Sequence, residues 1–295
     1  KEARMDSFFL DRAVKSALCE DFGIQTENDL TLISEKSFQF LDITSDAVFT
    51  DEEAEAIVFA KSEGILSGTK PFMRVYELVD PDVAVSFLKK DGEPFVRNER
   101  IVSLRGRAVS IFKAERTGLN FLGHLSGIAT EVGRLVHELR KSGIKLLDTR
   151  KTLPGLRALE KEAVVHGGGM NHRMGLFDMV LLKDNHIDAV GSIAEAVRKV
   201  RAEHHDAYTV EVETRSLEEV KEALEADVDR IMLDNMGRRM IKKAVKLVSG
   251  RVEIEVSGNM NRKKVRRLRK IPIQFISAGY VTYAAGHSDF SLKVE

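Results

Sequence analysis

From residue 144 onward the chain repeats one rhythm: a short apolar run, a polar loop, then an amphipathic stretch with helical spacing. Apolar strand cores fall at residues 144–147, 179–182, 209–212, 230–233, 252–256 and 275–278. Strands that alternate with helices cannot pair as hairpins, because each helix carries the chain back along the sheet. A parallel sheet with helices outside it is the expected result. Two helices open on S-x-x-E boxes, Ser192 to Glu195 and Ser216 to Glu219, where hydroxyl and carboxylate are expected to satisfy each other's orphan amides. No G-x-G-x-x-G follows the first strand, so a barrel or partial barrel fits better than a dinucleotide-binding sheet. Six strands are visible, and a seventh has room near residues 163–169.

The first half has another texture. Leu10, Val14, Ala17 and Leu18 keep helical spacing in residues 5–20 behind an Asp6/Ser7 cap. Residues 23–41 are polar and read as a loop or flap. Short β-type runs at 56–60, 83–88 and 107–112 follow, broken by turn signals at Gly64, Gly68, Pro71, Pro81 and Asp91-Gly92. A helix is expected at 114–140, bent near Ser126-Gly127, with Arg140 and Lys141 in its last turn and Gly143 as C-cap.

The 295 residues suit one large domain or two unequal ones. Lys+Arg and Asp+Glu total 46 each, a balance that argues against a general nucleic-acid or membrane-surface role. The basic run 262–270 lies on a predicted helix with Val265 and Leu268 inward, and so reads as a solvated face. No apolar run approaches the roughly 18 residues that span a bilayer. The N-terminus lacks a signal-like apolar core, and its start at Lys1 reads as trimmed. The lone Cys19 cannot form an internal disulfide and is expected as a small buried hydrophobe on a helix. A soluble protein of a reducing, cytoplasmic setting is the expectation.

The strand ends carry the chemistry. In order they are Asp148-Thr149-Arg150-Lys151-Thr152, Lys183-Asp184-Asn185-His186, Glu213, Asp234-Asn235, Ser257-Gly258-Asn259 and Ser277-Ala278-Gly279. In α/β barrels these ends form the catalytic mouth, and phosphate commonly sits in the loops after the last strands. Glycines there let backbone N–H groups approach a phosphate. Arg150, Lys151, His172, Arg173 and Lys183 make a cationic cluster early in the barrel. Glu213 and Asp234 follow; carboxylates at a mouth suit ribose hydroxyls, a developing cation, or Mg²⁺ with its waters. A phosphorylated sugar plus a second, anionic substrate is implied. Glu211, deeper on the strand face of Glu213, suits a structural pairing. The glycines of 167–169 give freedom just before His172-Arg173, as a loop folding close over a ligand needs.

These residues resemble the quinolinate phosphoribosyltransferase family. The resemblance rests on Glu115-Arg116-Thr117-Gly118-Leu119-Asn120, Ser126-Gly127-Ile128-Ala129-Thr130, the run 148–152 with Pro154-Gly155-Leu156-Arg157, and the run 167–173. It continues through Lys183-Asp184-Asn185-His186-Ile187, Val210-Glu211-Val212-Glu213, Leu233-Asp234-Asn235 and Ser257-Gly258, while Asp42-Ile43-Thr44-Ser45 looks like the family's N-terminal D-x-T-[ST] turn. The resemblance implies an α/β protein with an incomplete seven-stranded barrel over 121–280. Beside it would stand a smaller N-terminal α/β sandwich domain over 1–120, rejoined by the tail 281–295.

The implied reaction joins quinolinate to phosphoribosyl pyrophosphate, giving nicotinate mononucleotide, pyrophosphate and CO₂ with Mg²⁺. By motif match Arg116, Arg150, His172, Arg173 and Lys183 grip the two carboxylates, and Lys151 serves pyrophosphate or the adjacent carboxylate. Glu213 and Asp234 hold the ribose and its cationic transition state and, through water or substrate, the Mg²⁺. Thr149 joins the substrate-binding set, and Ser257, Gly258, Asn259 and Gly279 cradle the 5′-phosphate. A homodimer is implied in which Arg116 crosses into the neighbour's site, with no nucleic-acid or membrane partner. Two departures stand out: residues 23–41 look inserted before the D-x-T-[ST] turn, and Tyr283 stands where the family pattern has His. Three alternatives stay open: a related transferase-like protein associated with molybdate transport, a Schiff-base aldolase using Lys183, and a non-catalytic protein that kept the fold.

Overall fold

The structure, a computed structural model, describes residues 2–24 and 40–295. Most of the expected 23–41 loop therefore lies outside the described residues. The chain divides into two compact units, Lys1–Glu131 with Leu153–Gly168 and Ala284–Glu295, and Val132–Thr152 with Gly169–Tyr283.

In the first unit, helix α1 (Glu2–Asp21) buries Ala13, Val14 and Leu18 along one face. It begins at Glu2, so Asp6 and Ser7 lie inside it and not at its start. Cys19 sits on this helix, half-buried. The Asp42-Ile43-Thr44-Ser45 turn has a local cause. One oxygen of Asp42 accepts from Thr44 N–H at 2.9 Å and Ser45 N–H at 3.2 Å, which folds the chain into the short helix α2 (Ser45–Val48). Strand β1 (Glu53–Ala60) is the centre of an antiparallel sheet with β5 (Arg100–Arg107), β3 (Ala84–Phe87) and β12 (Phe290–Val294), in the order β12-β1-β5-β3. A two-stranded pair, β2 (Gly64–Ile65) with β4 (Pro94–Phe95), stands apart. Helix α3 (Thr69–Val79) buries Phe72, Val75 and Tyr76.

Helix α4 (Ala108–Leu139) corrects one expectation. The run 107–112 is not a strand: β5 ends at Arg107, and the next residue opens the helix. Ala108, Ile111, Ala114, Leu122, Leu125, Ala129, Val132, Leu135 and Leu139 share one buried stripe, so helical spacing extends further back than the β-rich composition suggested. The helix also runs uninterrupted past Ser126-Gly127. Gly127 serves close approach, since a Cβ there would lie 1.8 Å from the Gly286 carbonyl oxygen. Only glycine lets the returning tail lie this near the helix. Helix α5 (Arg157–His166) occupies part of the stretch assigned to a seventh strand. Leu159, Glu160, Lys161, Ala163 and Val164 are its buried positions, a helical spacing that a short apolar run disguised.

In the second unit, β6 (Lys145–Leu147), β7 (Val180–Leu182), β8 (Val210–Thr214), β9 (Arg230–Asp234), β10 (Glu253–Ser257) and β11 (Phe275–Ser277) form one parallel sheet, ordered β6-β11-β10-β9-β8-β7. Strands β6 and β7 are not neighbours in it, so the barrel stays open. The seventh strand shrinks to a single bridge, Met170 with Leu147. Helices α6 (Asp184–Val190), α7 (Ile193–His204), α8 (Leu217–Glu225), α9 (Arg238–Val248), α10 (Arg262–Leu268) and α11 (Tyr280–Tyr283) complete the alternation. This is an α/β fold with an incomplete barrel and a separate antiparallel sheet. Ser192 and Ser216 cap α7 and α8, each hydroxyl accepting the N–H of Glu195 or Glu219 at 3.1 Å. The return half differs from the expected boxes: Glu195 pairs with Arg198, and Glu219 takes the Arg215 N–H and guanidinium. No helix among the described residues is long and apolar enough to cross a membrane.

Candidate active site

The C-terminal ends of the six parallel strands surround a cavity of about 310 Å³. Thr149, Arg150 and Lys151 enter it from the end of β6, Lys183 from β7, Glu213 from β8 and Asp234 from β9. Ser257 ends β10 with Gly258 and Asn259 after it, Gly279 follows β11, and His172 and Arg173 arrive on the loop after Met170. Twelve of the thirteen expected substrate-binding residues are thus brought together. The thirteenth, Arg116, belongs to the first unit, on α4, with its side chain 68% exposed, and is not among the residues lining the cavity.

Local bonds fix these groups. Asp148, fully buried, accepts the His172 N–H at 2.7 Å and so ties the His172-Arg173 loop to the end of β6. Lys151 donates its N–H to Thr149 Oγ1 at 3.1 Å, and its carbonyl accepts from Thr282 Oγ1 at 2.7 Å. Lys183 precedes α6 and donates its N–H to His186 Nδ1 at 3.0 Å. At the last loops Asn235, Gly258 and Asn259 all have left-handed backbone, with φ of 51°, 100° and 47°. The Asn235 N–H binds the Ser257 carbonyl at 3.1 Å, and Asn259 Nδ2 donates to Asn235 Oδ1 at 3.3 Å. A Cβ on Gly258 would stand 2.3 Å from Asn235 Oδ1, so the two loops are closed on each other through a position only glycine fits.

Both signs of charge line the cavity. Arg150, Lys151, Arg173 and Lys183 supply its cations. Burial, and next the neighbouring Arg150, hold the Arg173 guanidinium below its usual range, which marks this corner as one that an anion would relieve. Burial and then Asp234 raise the Glu213 carboxyl, while Lys183 from the neighbouring strand counters them. Two close carboxylates in partial burial favour a cation between them. Asp234 also accepts from Asn235 Nδ2 at 2.6 Å.

Beside this mouth lies a buried cluster that the sequence only half revealed. His172 Nδ1 accepts the Arg173 N–H at 2.7 Å, which leaves Nε2 as the protonated nitrogen of a neutral ring. That Nε2 stands 3.0 Å from Glu211 Oε2 and 3.6 Å from Glu255 Oε2. Both carboxyls are fully buried, and burial pushes them up to about 7 and about 8 respectively. Glu211 was expected in a structural pairing and has one. The imidazole meets protein groups at both nitrogens, so His172, itself part of the cavity lining, anchors the loop that carries Arg173. Glu255, Leu181, Met232, Met260, Tyr280 and Tyr283 also line the cavity without having been assigned to it. Glu255 had a signal: it stands two residues before Ser257, as Glu211 stands two before Glu213, on the same face of its strand.

Family models of the quinolinate phosphoribosyl transferase C-terminal and N-terminal domains match residues 128–293 and 42–126. A nicotinate-nucleotide pyrophosphorylase [carboxylating] of Arabidopsis thaliana is 39% identical, covering 98% of this chain and 84% of its own length. A probable enzyme of the same name from Bacillus subtilis is 39% identical over 86% of this chain and 88% of its own. The solved nicotinate-nucleotide pyrophosphorylase from Francisella tularensis superposes with a TM-score of 0.87 at 37% identity, covering 97% of this chain and 96% of that one. With strand-end residues, cavity and both domain models in agreement, the chain belongs to the quinolinate phosphoribosyltransferase family.

Proposed function

We propose that this chain transfers the phosphoribosyl group of phosphoribosyl pyrophosphate to quinolinate and releases pyrophosphate, CO₂ and nicotinate mononucleotide. The observation that carries this reading is the composition of the mouth: Arg150, Lys151, Arg173 and Lys183, the carboxylates Glu213 and Asp234, and the Ser257-Gly258-Asn259 turn all line one cavity. Arg150, Arg173 and Lys183 take the two carboxylates of quinolinate, the guanidinium forks matching paired oxygens. The turn takes the 5′-phosphate on backbone N–H groups. As the anomeric C–O bond breaks, its electron pair leaves with pyrophosphate, and the quinolinate nitrogen donates its lone pair to the same carbon. Glu213 and Asp234 face the positive charge that develops on the sugar, and Lys151 neutralises the departing oxygens. The alkylated ring nitrogen then accepts the charge left at C2 when the neighbouring C–CO₂ bond breaks, and a proton replaces the carboxylate.

Mg²⁺ fits the same carboxylates, since Asp234 raises the cost of ionising Glu213 and both side chains offer oxygen donors. Glu213 and Asp234 would hold it, through water or substrate, and when bound it neutralises the pyrophosphate leaving group. We place Arg116 in the neighbouring subunit's site of a homodimer, where its exposed guanidinium adds to the acceptor grip. A cytoplasmic setting accords with the single cysteine.

The deciding assay measures CO₂ and pyrophosphate release with quinolinate and with nicotinate as acceptor. Nicotinate lacks the 2-carboxylate and leaves part of the cationic cluster desolvated and unpaired, a cost of roughly 2–4 kcal/mol. Quinolinate should therefore be preferred in kcat/KM by about 30-fold or more. Comparable values for the two acids would overturn the acceptor assignment.

A further inference from the structure

A chain with no net charge carries its cations very unevenly. Residues 238–270 hold thirteen lysines and arginines against two carboxylates, Glu253 and Glu255, and Glu255 is buried. Neither α9 nor α10 carries an acidic residue. Ile241, Ala244 and Val248 on α9, and Val265 and Leu268 on α10, are the buried positions that pin the two helices down. The apolar spacing therefore forces the charges outward, and every Lys and Arg on both helices is exposed.

Between the helices lies a shallow cleft lined by Arg238, Arg266, Arg267, Arg269 and Lys270 alone. None of these five lies within ion-pair distance of a carboxylate among the described residues; the nearby pair on α10 is Arg262 with Glu138, at 2.7 Å. Like charges gathered this way repel one another, and a solvated face that only kept the protein soluble would gain by spreading them. The cleft also lacks any aromatic side chain on which a nucleobase could stack, and lacks the acceptor side chains that read base edges. Its chemistry suits closely spaced phosphates, which guanidinium forks bind by charge-assisted hydrogen bonds.

We propose that this α9–α10 cleft is a binding site for a linear phosphate chain, distinct from the strand-end cavity. The complement is a flexible polyanion whose successive phosphates each meet one guanidinium or ammonium group, so that contacts too weak singly act together. The site stands whether or not the transferase reading holds, because it shares no lining residue with the catalytic mouth.

The test uses the full-length protein and three probes: long-chain inorganic polyphosphate, tripolyphosphate and a 20-base-pair DNA duplex. Binding is followed by fluorescence anisotropy or calorimetry from 50 to 300 mM salt. Long-chain polyphosphate should bind, and its affinity should fall steeply with salt, as counterion release demands. The R266A/R267A/R269A variant should lose at least tenfold in affinity while keeping the wild-type thermal midpoint and the wild-type kcat/KM for phosphoribosyl pyrophosphate. The R266K/R267K/R269K variant should retain most of the binding, which separates charge from fold. Three results would overturn the proposal: no binding of polyphosphate, unchanged binding in the alanine variant, or duplex DNA binding more tightly than polyphosphate at equal salt. Loss of kcat/KM in the alanine variant at a preserved thermal midpoint would also overturn it, because the cleft would then steer substrate to the mouth.

Discussion

Nε2 of His172 stands 3.0 Å from Oε2 of Glu211, and both side chains are almost wholly withdrawn from solvent. Glu255 completes the cluster: its Oε2 lies 3.6 Å from the same nitrogen and 3.7 Å from Arg230 Nη1. Burial outweighs these partners, and next to it the charge of Glu211 raises Glu255 further, up to about 8.

A consequence for stability follows with a definite sign. An ordinary unfolded glutamate loses its proton near pH 4.3, whereas folded Glu255 keeps its proton to about pH 8. Between those values the folded state binds more protons than the unfolded one, so stability falls as pH rises. Glu255→Gln keeps the shape and removes the titration. The thermal midpoint of the variant should therefore change less than that of the wild type from pH 5 to pH 8, with the two closest at pH 5. Parallel midpoint-against-pH curves would show that Glu255 is ionised throughout.

Glu213 and Asp234 provide the second expectation. Glu213→Gln and Asp234→Asn should each lower kcat by on the order of 100-fold, with smaller effects on quinolinate affinity. The raised Glu213 carboxyl also places the acid limb of kcat/KM above the ordinary glutamate range, activity rising as the proton leaves. Asp234 is second to burial in raising it, so Asp234→Asn should move that limb to lower pH. Full kcat in both variants would return the pair to a structural role, and an unmoved limb would detach it from Glu213.

The strand ends were legible because each combines an apolar run with an abrupt polar residue, and a parallel barrel gathers all such ends at one mouth. The elements that were misread share a physical cause. At Ala108 the buried stripe of α4 begins directly after β5, with no loop between the two periods. At Ala163 and Val164 two apolar residues on a helix look like the middle of a short strand. The orientation of His172 was beyond reach for another reason: it depends on Asp148, Glu211 and Glu255, three groups that chain order does not bring together.

Gly258 supplies a third test, confined to the phosphate turn. Its φ of 100° strains any other residue, and a Cβ there would meet both Asn235 Oδ1 at 2.3 Å and the Asn235 nitrogen at 2.7 Å. Gly258→Ala must push the β9 and β10 loops apart, at a stability cost of roughly 1–3 kcal/mol. The KM for phosphoribosyl pyrophosphate should rise by about tenfold or more, while quinolinate binding measured alone stays close to wild type. Equal losses for both ligands would mean that the turn supports the whole mouth.

Arg116 and Lys183 test the shared site. Lys183 lines the cavity of its own barrel, whereas Arg116 is exposed on α4 of the first unit and absent from that lining. If Arg116 serves the neighbouring subunit, each site of a two-fold dimer takes its lysine from one chain and its arginine from the other. Arg116→Ala and Lys183→Ala homodimers should then each be nearly inactive. A mixed dimer would carry one site with both defects and one site with neither. Random 1:1 exchange makes about half of the dimers mixed, so activity should recover to roughly a quarter of wild type. Differently tagged chains establish that exchange has taken place, and size-exclusion chromatography establishes that the dimer persists. Activity that stays absent in verified mixed dimers would mean that Arg116 acts within its own chain or supports α4 alone, and the shared site would have to be abandoned.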